Sequence, residues 1–279
     1  MPNASHEQTE PLLTLIAPAR DEVENLPALV EEVSRVMGQA AVSWEFIVID
    51  DGSTDGSRAR LVELTEHTPQ LRVLALDHQG RGVAHGQSAA FMAGFRAARG
   101  ELIALLDADL QNDPADLLAM LEAMDRSRAD LVQGDRMHDR RDTFVRKISS
   151  RVGRGFRRVL LGDTIRDTGC SLRIMTREVA LALPLQFKGM HRFIPITARQ
   201  LGYTVIEVPV KHRPRTAGHA KYGIWNRALP GLIDCFAVRW MRSRRSRVEA
   251  TELTPPAHET SSTAPARDGA EPDREPAGT

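Results

Sequence analysis

Residues 102–114 read LIALLDADLQNDP, five apolar residues followed at once by two carboxylates, Asp107 and Asp109, one residue apart. Alternate side chains of an extended chain share a face, so both carboxylates can point at one cation where the strand leaves the core. Magnesium is typically held by one or two carboxylates, with substrate phosphates and water completing its shell. The alternative is a turn and a helix start at Asp113 and Pro114. That alternative leaves Asp107 unexplained, because a carboxylate after an apolar run is costly unless paired or metal-bound.

Apolar runs of strand length recur along the chain, at residues 12–17, 46–49, 73–76 and 102–106, with a shorter one at 131–132. Apolar spacings of three and four predict helices between them, at residues 26–37, 84–98 and 115–124. Asn25 and Pro27 supply the start signal of the first helix. Strands that alternate with helices predict an α/β fold with a mostly parallel sheet flanked by helices, which binds ligands at the carboxyl ends of its strands.

Two acidic clusters follow the first and second predicted strands, RDE at residues 20–22 and DDGSTD at residues 50–55. Carboxylates at this edge can accept hydrogen bonds from the ribose hydroxyls and base N–H groups of a nucleotide. Together with Asp107 and Asp109, they predict one site for a nucleotide sugar.

The 279 residues, 42% of them hydrophobic, suffice for one full-sized core. Basic and acidic residues balance at 37 each, but residues 136–158 hold nine basic residues against two acidic ones, and residues 248–279 hold seven acids against two arginines. Cys170 and Cys235 form no spacing motif, which argues against a disulfide or zinc framework. The first ten residues lack the basic start and apolar stretch of a signal peptide, so none is expected.

Three motifs resemble those of the family 2 glycosyltransferases of the GT-A fold: PARDE at 18–22, VIDDGSTD at 48–55 and LDADLQ at 106–111. Four further stretches are similar to the polyprenyl-phosphate sugar transferases of that family, which include undecaprenyl- and dolichyl-phosphate enzymes: QSAAFMAGF at 87–95, DTGCSLR at 167–173, GMHRFIP at 189–195 and RTAGHAKYG at 215–223. The resemblance covers about residues 12–241. The sequence departs from the family pattern in two places: RDE replaces the common Tyr-Asn-Glu, and Ala220 replaces a serine.

On the donor side, the resemblance implies a nucleoside pocket lined by Pro18, Arg20, Glu22 and Asp50. It also implies that the diphosphate is bound through Mg²⁺ or Mn²⁺. The residues implied as ligands of the cation are Asp107, Asp109 and Gln111. Asp107 is also implied in binding the nucleotide sugar, and Asp109 in catalysis.

On the acceptor side, the resemblance implies that Arg136 and Arg146 contact a phosphate, which the planar donor fork of arginine suits. Arg215 and Lys221 would belong to a loop that closes over the site. The alternative for any one arginine of residues 136–158 is a solvated helix face or a contact with anionic lipid head groups.

Two further residues are candidates with structural alternatives. Asp167 is the candidate general base, although Asp-Thr-Gly also makes a good turn. A strong base is not required, since a lipid phosphate is already an anion. His191 is a candidate for recognising the sugar, although a single histidine is more often structural.

Residues 224–241 are too short and too charged to span a bilayer, since they contain Arg227, Asp234 and Arg239. The pattern instead predicts an interfacial helix drawn to anionic lipids, with five arginines near its end. The alternative is a helix that packs on the catalytic domain or on a second subunit. The residues predicted on its apolar face are Trp225, Leu229, Leu232, Ile233, Phe236, Trp240 and Met241.

The predicted domains are a disordered start (1–10), a GT-A catalytic domain (11–223), an interfacial basic helix (224–247) and a disordered acidic tail (248–279). The leading hypothesis is an inverting, metal-dependent transfer of a sugar from a nucleotide sugar to a polyprenyl phosphate, at the cytoplasmic membrane face without a membrane span. A UDP-sugar is favoured, and GDP-mannose stays open. The alternatives are a family 2 transferase with a glycan or diacylglycerol acceptor, and a non-catalytic binding module for nucleic acid or acidic membranes. We expect an anionic membrane surface and no nucleic acid among the partners, and leave a homo-oligomer open.

Overall fold

A single seven-stranded sheet in the order β3-β2-β1-β4-β6-β5-β7 organises the chain. The computed structural model describes residues 10–76, 82–136, 144–214 and 225–246, except for the side chains of 144–152 and 225–230. The predicted tail at 248–279 therefore lies outside the described residues. The strands are β1 (Leu13–Ala19), β2 (Trp44–Asp50), β3 (Leu71–Ala75), β4 (Leu102–Leu105), β5 (Leu131–Asp135), β6 (Arg173–Thr176) and β7 (Val205–Pro209).

All neighbouring strands are parallel except β6, which runs antiparallel between β4 and β5. The prediction of a mostly parallel sheet is thus confirmed. The two strands that the apolar pattern did not reveal are β6 and β7. Each is short, and each contains a charged residue, Arg173 or Glu207, that interrupts its apolar run.

Helices cover the sheet, and their buried faces form two apolar clusters. α3 begins at Gln87, three residues after the predicted start, and α2 was not predicted because only Ser57 and Leu61 on it are buried. The helices are α1 (Leu26–Met37), α2 (Ser57–Thr65), α3 (Gln87–Ala97), α4 (Asp116–Ser127), α5 (Phe144–Leu161), α6 (Arg177–Ala182), the 3₁₀ helix η1 (Met190–Phe193), α7 (Ile194–Leu201) and α8 (Trp225–Arg244).

The predicted helix start at Asp113 is displaced. The Asp113 carboxylate accepts a hydrogen bond from the backbone N–H of Ala115 at 3.0 Å, and α4 itself begins at Asp116. Asp113 therefore caps the turn that leads into α4, because the N–H group that its side chain accepts belongs to Ala115, one residue before the helix begins.

α8 packs on the rest of the molecule while it leaves apolar side chains in solvent. Cys235 and Val238 are buried in the core, and Phe236 lies edge-on to Phe156 of α5 with the ring centroids 5.8 Å apart. Met241, one of the residues predicted on the apolar face, is partly buried against the core. The compact unit that contains the sheet extends to Arg244. Within residues 231–244 of α8, the exposed large apolar side chains are Leu232, Ile233, Phe236 and Trp240.

No helix within residues 10–76, 82–136, 144–214 and 225–246 is long and apolar enough to cross a membrane.

Candidate functional site

The candidate site lies at one edge of the sheet, where β1, β2, β4 and β5 end. The antiparallel β6 brings its amino end to the same edge, because Arg173 pairs with Leu105 at the end of β4 and with Gln133 of β5. The turn that precedes β6 therefore lies beside the segments that follow β4 and β5. This arrangement places residues 167–173 next to Asp107, although more than fifty residues separate them in sequence.

Hydrogen bonds join the two acidic loops that follow β1 and β2. The Asp21 carboxylate accepts from the backbone N–H of Thr54 at 2.8 Å, and Ser57 Oγ accepts from the N–H of Glu22 at 2.9 Å. Asp21 adopts a left-handed backbone with φ of 49°, a conformation that aspartate tolerates better than most residues. The departure from the family pattern at Asp21 thus keeps a side chain that can join the loops.

Hydrogen bonds to Asp55 hold the same junction. Its carboxylate accepts from the Ser57 hydroxyl at 2.6 Å and from the Val23 N–H at 3.1 Å. Burial acts to raise the pKa of Asp55, but the hydrogen bonds from Ser57 and Val23 outweigh it and leave the pKa below its usual value. Asp55 therefore stays ionised and fixes the loop.

Asp50 and Asp51 have different partners. Asp50 is fully buried; one oxygen accepts from the backbone N–H of Ser53 at 3.1 Å, and the other accepts from Arg58 Nε at 2.7 Å. Asp51 instead accepts from the backbone N–H groups of His85 and Gly86, at 2.7 and 2.8 Å. The predicted nucleoside contact of Asp50 thus stays a prediction, and in this structure Asp50 shapes the turn.

The remaining predicted residues of the nucleoside pocket lie at the end of β1. Pro18 and Arg20 are half-buried, and Arg20 Nε lies 3.7 Å from the Asp21 carboxylate. The Glu22 carboxylate accepts from the side-chain amide of Asn25 at 2.7 Å. The contact of these three side chains with a nucleoside stays a prediction.

Asp107 is held by side chains from two other parts of the chain. Gln87 Nε2 donates to one carboxylate oxygen at 3.0 Å, and the Ser171 hydroxyl lies 2.6 Å from the other. The backbone N–H of Asp107 donates to the Asn112 side chain at 3.1 Å. The orientation of Asp107 is therefore fixed by α3 on one side and by the turn before β6 on the other.

The donor set at this edge fits a hard divalent cation. Burial and, to a lesser extent, the negative charge of Asp109 raise the pKa of Asp107. The hydrogen bond with Ser171 lowers this pKa but offsets the rise only in part. A bound cation would relieve that repulsion. No cluster of three or more His, Cys, Asp or Glu side chains suited to a metal occurs among the described residues. Two carboxylates, completed by phosphate and water oxygens, match the usual magnesium shell.

The side-chain amide of Gln111, the third predicted metal ligand, lies 3.5 Å from the carbonyl of Arg213, and its backbone N–H donates to Asp109 at 3.3 Å. Arg213 Nη2 also lies 3.0 Å from the Asp113 carboxylate. The turn after β4 is therefore tied to the segment after β7. The role of Gln111 as a ligand stays a prediction.

Arg136 directly follows β5, and Asp167 lies in the turn before β6. The two side chains form a bidentate ion pair. The Arg136 guanidinium donates to the two oxygens of Asp167 at 2.8 and 3.1 Å, and the pair is largely buried. Burial opposes the charge on Arg136, but its hydrogen bonds to Asp167 raise its pKa above the usual value. Gln133 fixes the same turn by donating to the carbonyls of Asp167 and Cys170.

His191 lies on η1 against the start of α3. The Ser88 hydroxyl accepts from the His191 backbone N–H at 3.1 Å and lies 3.0 Å from the ring Nδ1. Burial, together with the positive charges of Arg192 and Arg173, lowers the pKa of His191 to about 3. The ring is therefore neutral at physiological pH.

Arg173 is a buried cation whose recorded partners are carbonyl groups. Its Nη1 donates to the carbonyl of His191 at 3.0 Å, and its Nη2 donates to that of Cys170 at 2.6 Å. Burial lowers its pKa to about 10, while nearby Cys170, Asp107 and Asp167 favour the charged form. Arg173 thus ties η1 to the turn that carries Asp167.

Three predicted acceptor residues cannot be placed with the others. Arg215 and Lys221 lie outside the described residues. Arg146 belongs to α5, but its side chain is outside the description as well.

Gln87, Ser88, Ser171 and Arg173 contribute to the site without having been assigned roles from the sequence. All four fall inside the stretches 87–95 and 167–173 that carry the resemblance. Their residue types gave no signal of their own, since each acts through another residue.

The model of glycosyl transferase family 2 matches residues 14–183, more than half of the chain. A dodecaprenyl-phosphate galacturonate synthase of Rhizobium johnstonii is 34% identical over 84% of this chain and 68% of its own. An undecaprenyl-phosphate 4-deoxy-4-formamido-L-arabinose transferase of Edwardsiella ictaluri is 32% identical over 85% of this chain and 71% of its own.

Solved structures agree at the level of the fold. A glucosyl-3-phosphoglycerate synthase of Mycobacterium tuberculosis, crystallised with Mn²⁺ and UDP, aligns with a TM-score of 0.62 at 18% identity over 82% of this chain and 80% of its own. A mannosyltransferase of Pyrobaculum calidifontis, crystallised with GDP-mannose and Mn²⁺, aligns with a TM-score of 0.58 at 19% identity over 87% of this chain and 67% of its own. The predicted GT-A fold is thereby confirmed, and the chain belongs to glycosyl transferase family 2.

Proposed function

We propose that this protein transfers a sugar from a nucleotide sugar, a UDP-sugar in the first instance, to a polyprenyl phosphate. The observation that carries the proposal is the meeting, at one sheet edge, of the Asp107 and Asp109 pair with the Arg136 and Asp167 pair. The first suits a cation and a diphosphate, and the second presents a guanidinium to an anion. The two relatives, a dodecaprenyl-phosphate galacturonate synthase and an undecaprenyl-phosphate 4-deoxy-4-formamido-L-arabinose transferase, support this acceptor by name.

On the donor side, Asp107 and Asp109 are the two carboxylates proposed to hold the cation. Asp107 is oriented by hydrogen bonds from Gln87 and Ser171, and Asp109 accepts from the backbone N–H of Gln111 at 3.3 Å. When bound, Mg²⁺ or Mn²⁺ supplies Lewis-acid neutralisation of the diphosphate. Gln87 and Ser171 keep Asp107 oriented toward that position.

On the acceptor side, Arg136 orients a phosphate monoester and offsets its charge. A phosphate oxygen bonds to the anomeric carbon while the bond from that carbon to the diphosphate oxygen breaks, and the nucleoside diphosphate leaves with the electron pair. The attacking oxygen is already anionic, so no proton needs to move. This suits Asp167, which uses both oxygens to hold Arg136 and is poorly placed to act as a base.

We assign the contact with the membrane surface to α8. Ile233, Phe236 and Trp240 are 60%, 56% and 63% exposed, and their spacing of three and four residues places them on one face of the helix. Arg239 and Arg242 on the same helix donate to the carbonyls of Leu160 and Leu161, so α8 is held on α5 while those apolar groups face outward. We propose that this face lies in the head-group layer of an anionic membrane and presents the acceptor lipid to the site.

The test is an incubation of the full chain with Mn²⁺ or Mg²⁺, a panel of UDP- and GDP-sugars, and a short polyprenyl phosphate. A radiolabelled lipid product should form and should be lost in Asp109→Ala. Ser127→Ala, a change on the exposed end of α4, serves as the matched control. Transfer that proceeds equally well to a diacylglycerol or a glycan would show that the acceptor is wrong, and a product that persists in Asp109→Ala would show that the cation site is wrong.

A further inference from the structure

Ser88 and His191 form a hydrogen-bonded pair whose geometry has a chemical consequence. The Ser88 oxygen accepts the backbone N–H of His191 at 3.1 Å, and Nδ1 of the same histidine lies 3.0 Å away. Among the described residues, Nδ1 is the one acceptor within hydrogen-bond distance of the Ser88 hydroxyl, which assigns the hydroxyl as the donor of this bond. A hydroxyl that donates to Nδ1 requires Nδ1 to be the unprotonated ring nitrogen. In a neutral imidazole the proton must then be on Nε2.

His191 is neutral, because burial and the charges of Arg192 and Arg173 lower its pKa to about 3. Ser88 is 4% exposed, whereas His191 as a whole residue is partly exposed. Within the described part of the chain, no hydrogen bond to Nε2 is recorded. The ring thus offers one N–H donor to a partner outside the described protein.

Hydrogen bonds connect His191 to both the diphosphate side and the acceptor side of the candidate site. Ser88 follows Gln87, whose amide holds Asp107 on the diphosphate side. The His191 carbonyl accepts from Arg173, which also holds the carbonyl of Cys170 in the turn of Asp167 on the acceptor side. A sugar in transit must lie between its diphosphate and the acceptor phosphate, so His191 is tied to both ends of the space that the sugar occupies.

We infer that the Nε2–H of His191 donates a hydrogen bond to an oxygen of the donor sugar, and that Ser88 is a positioning residue that fixes this tautomer. The inference rests on the proposed function for the nature of the donor. A hydroxyl or carboxylate oxygen of the sugar accepts this bond, and the nucleoside diphosphate does not. His191 therefore contributes to sugar affinity and orientation without exchanging a proton.

Replacement of His191 by glutamine or by asparagine distinguishes the roles of its two ring nitrogens. Glutamine can place its amide near the Nε2 position, and asparagine can place its amide only near Nδ1. We expect His191→Gln to keep the affinity for the sugar nucleotide within about threefold, and His191→Asn to weaken it roughly tenfold, the value of one hydrogen bond of about 1.4 kcal/mol. Ser88→Ala should weaken it severalfold, because the neutral ring then populates both tautomers.

Calorimetry measures the binding of the tightest member of a panel of UDP- and GDP-linked hexoses and uronic acids, in the presence of Mn²⁺, with the matching nucleoside diphosphate as the comparison. The variants should bind the nucleoside diphosphate like the wild type. Equal losses for the sugar nucleotide and the nucleoside diphosphate, or equal affinities of His191→Asn and His191→Gln, would overturn the inference.

The ¹⁵N chemical shifts of the His191 ring give a readout that needs no substrate. We expect Nε2 to be protonated and Nδ1 to be unprotonated in the wild type, and a mixed pattern in Ser88→Ala. A protonated Nδ1 in the wild type would contradict the role of Ser88. Neither this measurement nor calorimetry uses a lipid acceptor, so a protein that binds the sugar nucleotide but transfers nothing to polyprenyl phosphate would refute the proposed function alone.

Discussion

The guanidinium of Arg136 holds the carboxylate of Asp167 through two hydrogen bonds, of 2.8 and 3.1 Å, at the edge where the acceptor phosphate is proposed to bind. The backbone N–H of Gly169 also donates to Asp167, at 3.1 Å. Both oxygens of the carboxylate are therefore used within the protein. This makes Asp167 an anchor for Arg136, and the choice between an anchor and a base can be tested.

For Asp167→Asn, we expect the KM for the polyprenyl phosphate to rise roughly tenfold while kcat changes less, because the amide keeps one hydrogen-bond acceptor for Arg136 and loses the charge. The pH profile of kcat should keep its shape. Arg136→Lys combined with Asp167→Asn should cost less than the sum of the two single changes, since both act on one pair. A loss of kcat of several orders of magnitude together with a lost acidic limb would instead identify Asp167 as a base.

Removal of the Ser171 hydroxyl should loosen Asp107. We expect Ser171→Ala to weaken Mn²⁺ binding in the presence of nucleoside diphosphate by about tenfold or more, as the loss of a group that orients a ligand does elsewhere. Titration with Mn²⁺, followed by electron paramagnetic resonance, measures this affinity. Ser127→Ala should match the wild type, and an unchanged affinity in Ser171→Ala would exclude an orienting role.

Glu45 is the centre of a buried network that joins β1, β2, β3 and the segment between α3 and β4. It accepts from the Thr14 hydroxyl at 2.7 Å, from the backbone N–H of Arg99 at 2.8 Å and from Arg72 at 2.6 Å. Glu45→Ala should lower the free energy of unfolding by about 3 kcal/mol, because buried donors lose their partner. Urea unfolding measures this, and Glu63→Ala, in an exposed pair, should cost well under 1 kcal/mol by the usual value of surface ion pairs.

The low pKa of His191 makes stability depend on pH. The folded value of about 3 lies below the ordinary 6.5, so between these values the unfolded chain binds a proton at His191 that the folded chain does not. Stability from this group is complete above about pH 6.5 and is lost progressively as the pH falls toward 3. Urea midpoints from pH 7 to pH 5 should therefore fall more steeply for the wild type than for His191→Gln, and parallel curves would contradict the assignment.

The exposed face of α8 gives a prediction for membrane binding. Ile233→Glu combined with Trp240→Glu should reduce binding to anionic phospholipid vesicles at least tenfold without loss of the fold, because burial of two large apolar groups contributes about 3 kcal/mol or more. Co-sedimentation measures the binding. Val62→Glu, an equally exposed apolar position on α2, is the matched control. Deletion of α8 is a poor test, because it would remove Cys235 and Val238 from the core.

The sequence by itself determined the order of most elements and the positions of the acidic motifs. Nearly continuous apolar runs specified β1, β2 and β4, because strands buried on both faces need such runs. Carboxylates placed directly after those runs had to reach one edge, since parallel strands end together. Membership of glycosyl transferase family 2 followed from those motifs in their order. β6 and α2 gave weak signals, because Arg173 interrupts one and only two residues of the other are buried.

Only the tertiary structure decided which side chains meet. The antiparallel course of β6 brings Ser171 to Asp107 and Asp167 to Arg136, and no local pattern encodes a contact across such separations. It also decided that Asp50 pairs with Arg58 inside the protein, and that α8 both packs on α5 and exposes an apolar face. The physical reason is that periodicity reports burial along one element, whereas a hydrogen bond between distant residues depends on how the elements pack.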